Sequence, residues 1–229
     1  MNEVIPVDRA AYNAVWDVPL GACAFCAPEP AIIAHRSKEF NVMFDPAPVV
    51  EGHMTTFARE HFECVGDLPP DRVGELADVL GQVREALVAT YGKATFYEHG
   101  RAGACMSDGP EHRLCHHMHL HGVPVAGDMA CRWLLEWSIK HVELESIAEI
   151  PSAYETYGDY LFFQPFEGRP IFVPVGTEAI ERHLLRTLVA REVGTPERAN
   201  WRAHADFDLF SAGRSKVLSS GVGVARWTP

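Results

Sequence analysis

The chain has 229 residues, 47% of them hydrophobic and 22% charged, a globular composition long enough for one domain with an extension or for two small ones. A formal net charge of −11 makes it a poor candidate for gripping duplex nucleic acid, which needs clustered Lys and Arg, but leaves room for a small anionic ligand. No cationic segment followed by an apolar run opens the chain, and no apolar stretch approaches the ~20 residues of a membrane helix, so a cytoplasmic protein without a membrane partner is expected.

The first chemical signal in chain order is "CAFC", which offers Cys23 and Cys26 across a tight turn. That is the usual half of a zinc site, although a redox pair has the same spacing. The other cysteines, Cys64, Cys105, Cys115 and Cys131, read as small buried hydrophobes, since a reducing compartment does not favour disulfides. "KEFNVMFD" and "MTTFARE" read as strands joined by the turn "PAPVVEGH". Next comes the clearest helix: Val73, Leu76, Leu80, Val83, Leu87 and Tyr91 recur at steps of three and four, with Pro69 and Pro70 before its start and Gly92 after its end. "KATFYEHG" is a strand and "RAGACMSDGPEHR" a polar loop.

"LCHHMHLHGV" then reads as a strand ended by Pro124. Side chains alternate between faces of a strand, so His117, His119 and His121 point one way, while Met118 and Leu120 can enter a core on the other. Three imidazoles on one face are costly to bury unless they bind something, which points to metal or phosphate chemistry. His116, His112 and His35 read as structural or solvent-facing. His61 and His117 are the candidates to complete the site that "CAFC" begins.

Beyond residue 126 the signals are mixed. "CRWLLEWSIKHVELESI" is ambiguous between helix and strand. "DYLFFQPFEGRPIFVPV" reads as a hairpin turning near Glu167 and Gly168, and "GTEAIERHLLRTLVAREVG" as a helix closed by Gly194, with Arg186 and Arg191 solvated on it. Trp201 reads as packing.

"CAFC", "NVMFDPAPVVEGHMTTFAREH" and "HMHLHGVP" together resemble the histidine-triad (HIT) superfamily of nucleotide hydrolases and transferases, and within it the zinc-binding CxxC type of bacterial member, over roughly residues 20–126. His117, His119, His121 and Pro124 match the triad motif; Gly52 and His53 match the upstream Gly-His, with His61 following and Asp45 preceding at the family's spacing. The resemblance implies an α+β, HIT-like fold: an antiparallel sheet with a long helix over residues 15–128, followed by a C-terminal α+β extension, 129–229, of unknown role. It implies structural Zn2+ held by Cys23, Cys26, His61 and His117, His119 as nucleophile, and His121 as a hydrogen-bond donor to the phosphate. Asp45 would hold the ribose hydroxyls. His53 would stand behind the phosphate site, His99 would replace a nucleotide-binding asparagine, and Ser107 would steady the leaving side of the phosphate. A homodimer is likewise implied.

The implied activity is hydrolysis at the α-phosphate of a dinucleoside polyphosphate or phosphoramidate through a nucleotidyl-histidine, releasing a nucleoside monophosphate. A nucleotidyltransferase or phosphorylase and a zinc-bound nucleotide sensor are the alternatives. His121 favours hydrolysis, since uridylyltransferase relatives carry glutamine there, and an intact His119 weighs against the sensor.

Overall fold

The computed structural model describes residues 7–19, 22–102, 116–138, 140–176, 180–181, 183–224 and 227. Ser107, His112, Cys105 and Cys115 lie outside the described residues. In chain order the elements are α1 (Arg9–Ala14), β1 (Ile33–Arg36), β2 (Phe40–Phe44), β3 (Met54–Ala58), α2 (Pro70–Tyr91), β4 (Thr95–Gly100), β5 (His119–Val123) and α3 (Asp128–Trp137). There follow β6 (Val142–Glu143), α4 (Ile150–Tyr157), β7 (Tyr160–Gln164), β8 (Ile171–Pro174), α5 (Leu184–Glu192) and α6 (Phe207–Ser220). The fold is α+β. The strands form one sheet in the order β1-β2-β3-β5-β4-β7-β8-β6, and every pairing between them is antiparallel. Strands from both sides of residue 129 therefore share one sheet, with β7 hydrogen-bonded directly to β4.

Helix α2 has the expected span. Pro70 opens it where a missing N–H costs nothing, and Gly92 ends it in the left-handed conformation, φ 82°, its N–H bonded to the Val88 carbonyl. Val73, Leu76, Val79, Leu80, Val83 and Leu87 are buried along it, each worth about 2 kcal/mol by apolar area. They pack with Phe96, Met118 and Leu120 on one face of the sheet. The opposite face carries Tyr97, Val123, Leu161 and Phe163, covered by Leu184, Leu185, Leu188 and Val189 of α5 and by Ala130 and Leu134 of α3.

Some segments differ from the sequence reading. "CRWLLEWSIKHVELESI" resolves into α3 followed by the short β6. Helix α5 begins later than expected, at Leu184, because His183 before it is left-handed at φ 57°. Arg186, expected to be solvated, is buried at 3% exposure. The "DYLFFQPFEGRPIFVPV" segment does form a hairpin, β7 with β8. Trp201 packs, stacking on Trp16 at 6.0 Å, and His35 stacks on Trp227 at 5.7 Å.

Glu98 is fully buried on the α2 face of β4. The Tyr160 hydroxyl donates to its Oε2 at 2.6 Å and the Val65 N–H to its Oε1 at 3.0 Å. Burial outweighs both bonds and pushes its pKa from 4.5 up to about 8. A raised pKa means the folded protein keeps a proton that the unfolded chain releases, so this stabilisation is complete below pH 4.5 and lost as pH rises to about 8. Glu98→Gln removes the titration. Denaturant unfolding of both proteins at about pH 5 and about pH 8 should show the difference in stability moving toward the variant, by at most ~1.4 kcal/mol per pH unit. A difference that does not move with pH would exclude a buried proton on Glu98.

Candidate active site and metal centre

Four ligand-type side chains converge at one end of the β3–β5 pair. Cys23 and Cys26 sit on a turn closed by the Cys26 N–H bonding the Cys23 carbonyl, His61 follows β3, and His117 lies two residues before β5. Their ligand atoms all lie within 4.8 Å of one another. Cys23 Sγ is 3.4 Å from His117 Nδ1, Cys26 Sγ is 3.1 Å from His61 Nδ1, and the two Nδ1 atoms are 3.2 Å apart. These are edge lengths of a tetrahedron around an ion with Zn–S of about 2.3 Å and Zn–N of about 2.0 Å. The His117 tautomer agrees: its Nε2–H donates to the Ala58 carbonyl at 2.8 Å, which leaves Nδ1 with a lone pair for a metal. Without an ion, burial and then Cys23 push the Cys26 thiol up to about 11, so metal binding has to displace protons. These residues can hold a metal ion, and the donor set suits zinc.

Next to this group, the histidines of β5 divide into two chemical types. His119 Nδ1 is 2.6 Å from the His117 carbonyl. A carbonyl only accepts, so Nδ1 carries the proton and Nε2 is a bare lone pair. His121 is set the other way by a chain of bonds. The Val49 N–H donates to His53 Nδ1 at 3.2 Å, so the His53 proton is on Nε2. That Nε2 is 2.9 Å from His121 Nδ1, which must accept, leaving the His121 proton on Nε2. The face thus presents one nucleophilic nitrogen and one donor, on rings whose centroids are 5.1 Å apart. Burial pushes the His119 pKa down to about 3, with His121 adding to the effect, and burial likewise lowers His121 and His53, so all three rings are neutral near pH 7.

Asp45 lies beneath His53 and His121, buried and committed to the protein. Its Oδ1 accepts the Ala47 N–H at 2.9 Å and its Oδ2 accepts the Thr55 hydroxyl at 3.1 Å. Arg186 Nη1 stands 3.8 Å away. Burial alone would raise this carboxyl; positive charge on His53 and His121, present only when those rings are protonated, and the Arg186 guanidinium hold it well below the carboxylate range. Asp45, His53 and His121 also converge closely enough for an ion. The proton on His53 Nε2 and the adjacent guanidinium make this a hydrogen-bond network instead. His99 is buried, and its Nε2 accepts the Leu185 N–H at 3.2 Å, at the start of α5.

The structure therefore brings Cys23, Cys26, His61 and His117 together as one group, and His119, His121, His53 and Asp45 as a second beside it. Phe25, Thr55 and Arg186 were missed. Phe25, between the two cysteines, stacks on the His119 ring at 4.9 Å and 25°; its place between two ligand candidates was the available clue. Arg186 had no local signal for its place in the site, since the Ala47 carbonyl and Asp45 lie about 140 residues upstream.

No protein-family model matches the chain, and no curated protein matches its sequence. Among solved structures, a hypothetical histidine triad nucleotide-binding protein from Sulfolobus tokodaii strain7 is similar over 45% of this chain and 68% of its own, at 22% identity and a TM-score of 0.33. A Hit-like protein involved in cell-cycle regulation from Bartonella henselae is similar over 52% of this chain and 79% of its own, at 10% identity and a TM-score of 0.32.

Removing bound metal with a chelator should lower the melting temperature by about 10 °C or more, given the size of structural zinc energies. Added zinc should restore it, and Cys23→Ser should abolish the restoration. A melting temperature unchanged on complete metal loss would exclude a structural ion.

Proposed function

We propose that the chain is a hydrolase acting at the α-phosphate of a nucleoside 5′-phosphoryl conjugate, either a dinucleoside polyphosphate or a phosphoramidate. One observation carries this reading: a bare His119 Nε2 stands beside a His121 Nε2–H on the same sheet face, each fixed by a hydrogen bond at its other nitrogen. A neutral imidazole nitrogen with a fixed lone pair is a competent nucleophile. Its attack forms an N–P bond and breaks the bond from phosphorus to the leaving group, which departs with the bonding electrons. Charge grows on the non-bridging oxygens, and the His121 Nε2–H is aimed to meet it. Water then attacks phosphorus, the N–P bond breaks, and His119 recovers its lone pair. One water is consumed, and its two protons end on the monophosphate and the leaving group or in solvent.

Cys23, Cys26, His61 and His117 hold a structural zinc in this reading, which fills four positions and leaves none for substrate. Residues 15–128 carry the chemistry, in a cytoplasmic homodimer. Ser107 steadies the leaving side of the phosphate. For Asp45 to touch the nucleoside it must share oxygens already bonded within the protein, whereas His99, whose Nε2 is taken by Leu185, would reach it through Nδ1.

The test is turnover of adenosine 5′-phosphoramidate and a diadenosine polyphosphate, with and without inorganic phosphate. Monophosphate as the sole nucleotide product supports hydrolysis. Diphosphate formed only with phosphate replaces it with phosphorolysis, and no turnover replaces it with a sensor. His119→Ala should reduce kcat by at least about 10³-fold, and a wild-type rate would refute the nucleophile.

A further inference from the structure

The chain after residue 129 has no role in the chemistry so far, yet it grips the turn from Asp45 to Val49 at Asp45, Ala47, Pro48 and Val49, while Tyr12 of α1 holds the Pro46 carbonyl. Three successive carbonyls of that turn are taken by side chains of the extension. Arg186 donates to the Ala47 carbonyl, Arg198 Nη1 to the Pro48 carbonyl at 3.2 Å, and the Thr195 hydroxyl to the Val49 carbonyl at 3.4 Å. Arg186 Nε also bonds the Arg198 carbonyl at 3.1 Å, and Arg198 Nη2 pairs with Asp206 at 2.7 Å, so Arg186 braces the backbone of Arg198 while Asp206 holds its guanidinium. A second element of the extension touches the same turn. Gly213 of α6 packs so closely that a Cβ there would lie 2.4 Å from the Gly52 nitrogen, one residue before His53.

The Pro48 carbonyl is the informative one. It shares a planar peptide unit with the Val49 N–H, and no peptide bond among the described residues is cis. In a trans unit the carbonyl and the N–H point in opposite directions. Arg198, by holding the Pro48 oxygen on one side, aims the Val49 N–H to the other, where it meets His53 Nδ1. That bond puts the His53 proton on Nε2, and His53 Nε2–H makes His121 Nδ1 an acceptor. A proton on His53 Nδ1 would instead face the Val49 N–H, donor against donor.

We propose that the extension is part of the site's machinery: Arg198 and Arg186 are positioning residues that, through the turn and His53, hold His121 with its proton on Nε2. The role of that proton at the phosphate rests on the hydrolase reading; the tautomer itself does not.

The experiment uses the full, zinc-loaded chain and reads the histidine ring nitrogens by long-range ¹H–¹⁵N NMR, without substrate. Wild type should show His121 as the Nε2–H tautomer and His119 as the Nδ1–H tautomer. Arg198→Met keeps the buried Arg186–Asp45 pair and should fold; His53 and His121 should become tautomer mixtures while His119 stays unchanged. The turnover of adenosine 5′-phosphoramidate should fall about tenfold or more in kcat with KM within about threefold. Arg186→Met strands the Asp45 charge, so the Arg186→Met/Asp45→Asn pair is the companion variant, and it should show the same tautomer change. Unmoved His53 and His121 tautomers in both folded variants would overturn the proposal, as would a kcat loss that only tracks melting temperature. Failure of the hydrolase reading looks different: wild type turns nothing over, yet the tautomers still move in the variants.

Discussion

Everything this sheet face can do depends on where one proton sits on each of two neighbouring imidazoles. His119 and His121 project from the same side of one strand, and sequence gives them the same chemistry. Their surroundings do not. A carbonyl beneath His119 takes its proton to Nδ1, and a donor beneath His121 takes its proton to Nε2. Exchange either assignment and the proposed chemistry fails: two bare nitrogens would repel a phosphate oxygen, and two N–H groups would offer no nucleophile. The partners that decide this are mostly backbone. The His117 carbonyl lies two residues away along the strand, and the Val49 N–H acts from a turn, one ring removed.

Burial sets the charge states around this arrangement. Desolvation opposes a cationic ring, so His119, His121 and His53 are neutral, and in the proposed reaction a phosphate would meet directed lone pairs and dipoles rather than a diffuse positive charge. The buried charges are those of Asp45 and Arg186. Such a pair is a doubtful source of stability, because desolvating both ions offsets most of their attraction. Its geometry is more telling than its energy. The Asp45 carboxylate binds the Ala47 N–H and the Thr55 hydroxyl, and Arg186 binds the Ala47 carbonyl, so the two charges fix one short stretch of backbone from both sides. That stretch carries the Val49 N–H.

Local pattern made much of this readable. Alternation along "HMHLHGV" placed three imidazoles opposite Met118 and Leu120, and both of these are in the core. Steps of three and four gave α2, and Gly92 gave its end. The spacing of "CAFC" identified half of the ligand group, and the other half came from the histidines at 61 and 117. What could not be read were contacts between distant residues. Arg186 sits on a helix whose charged positions look solvated, and only the folded chain shows the carbonyl and carboxylate waiting for it. His99 likewise accepts at Nε2 from the N–H of Leu185, 86 residues later, a partner that no local pattern announces. No single-chain pattern encodes which residue of a later helix will cap an earlier strand.

Two separate supports thus converge on β5, and they act on different histidines. On one side the "CAFC" turn lays the Phe25 ring on His119, with further contacts to Phe57 and His117. Because Cys23 and Cys26 flank that ring, an ion that fixes the two sulfurs also fixes Phe25 against the bare nitrogen's ring. A metal held there would influence His119 by packing, with no open coordination position. On the other side the extension fixes the turn that feeds His53 and His121. Each histidine is held at its Nδ1 atom, His119 by the His117 carbonyl and His121 by His53, and those two bonds fix the orientation of both rings.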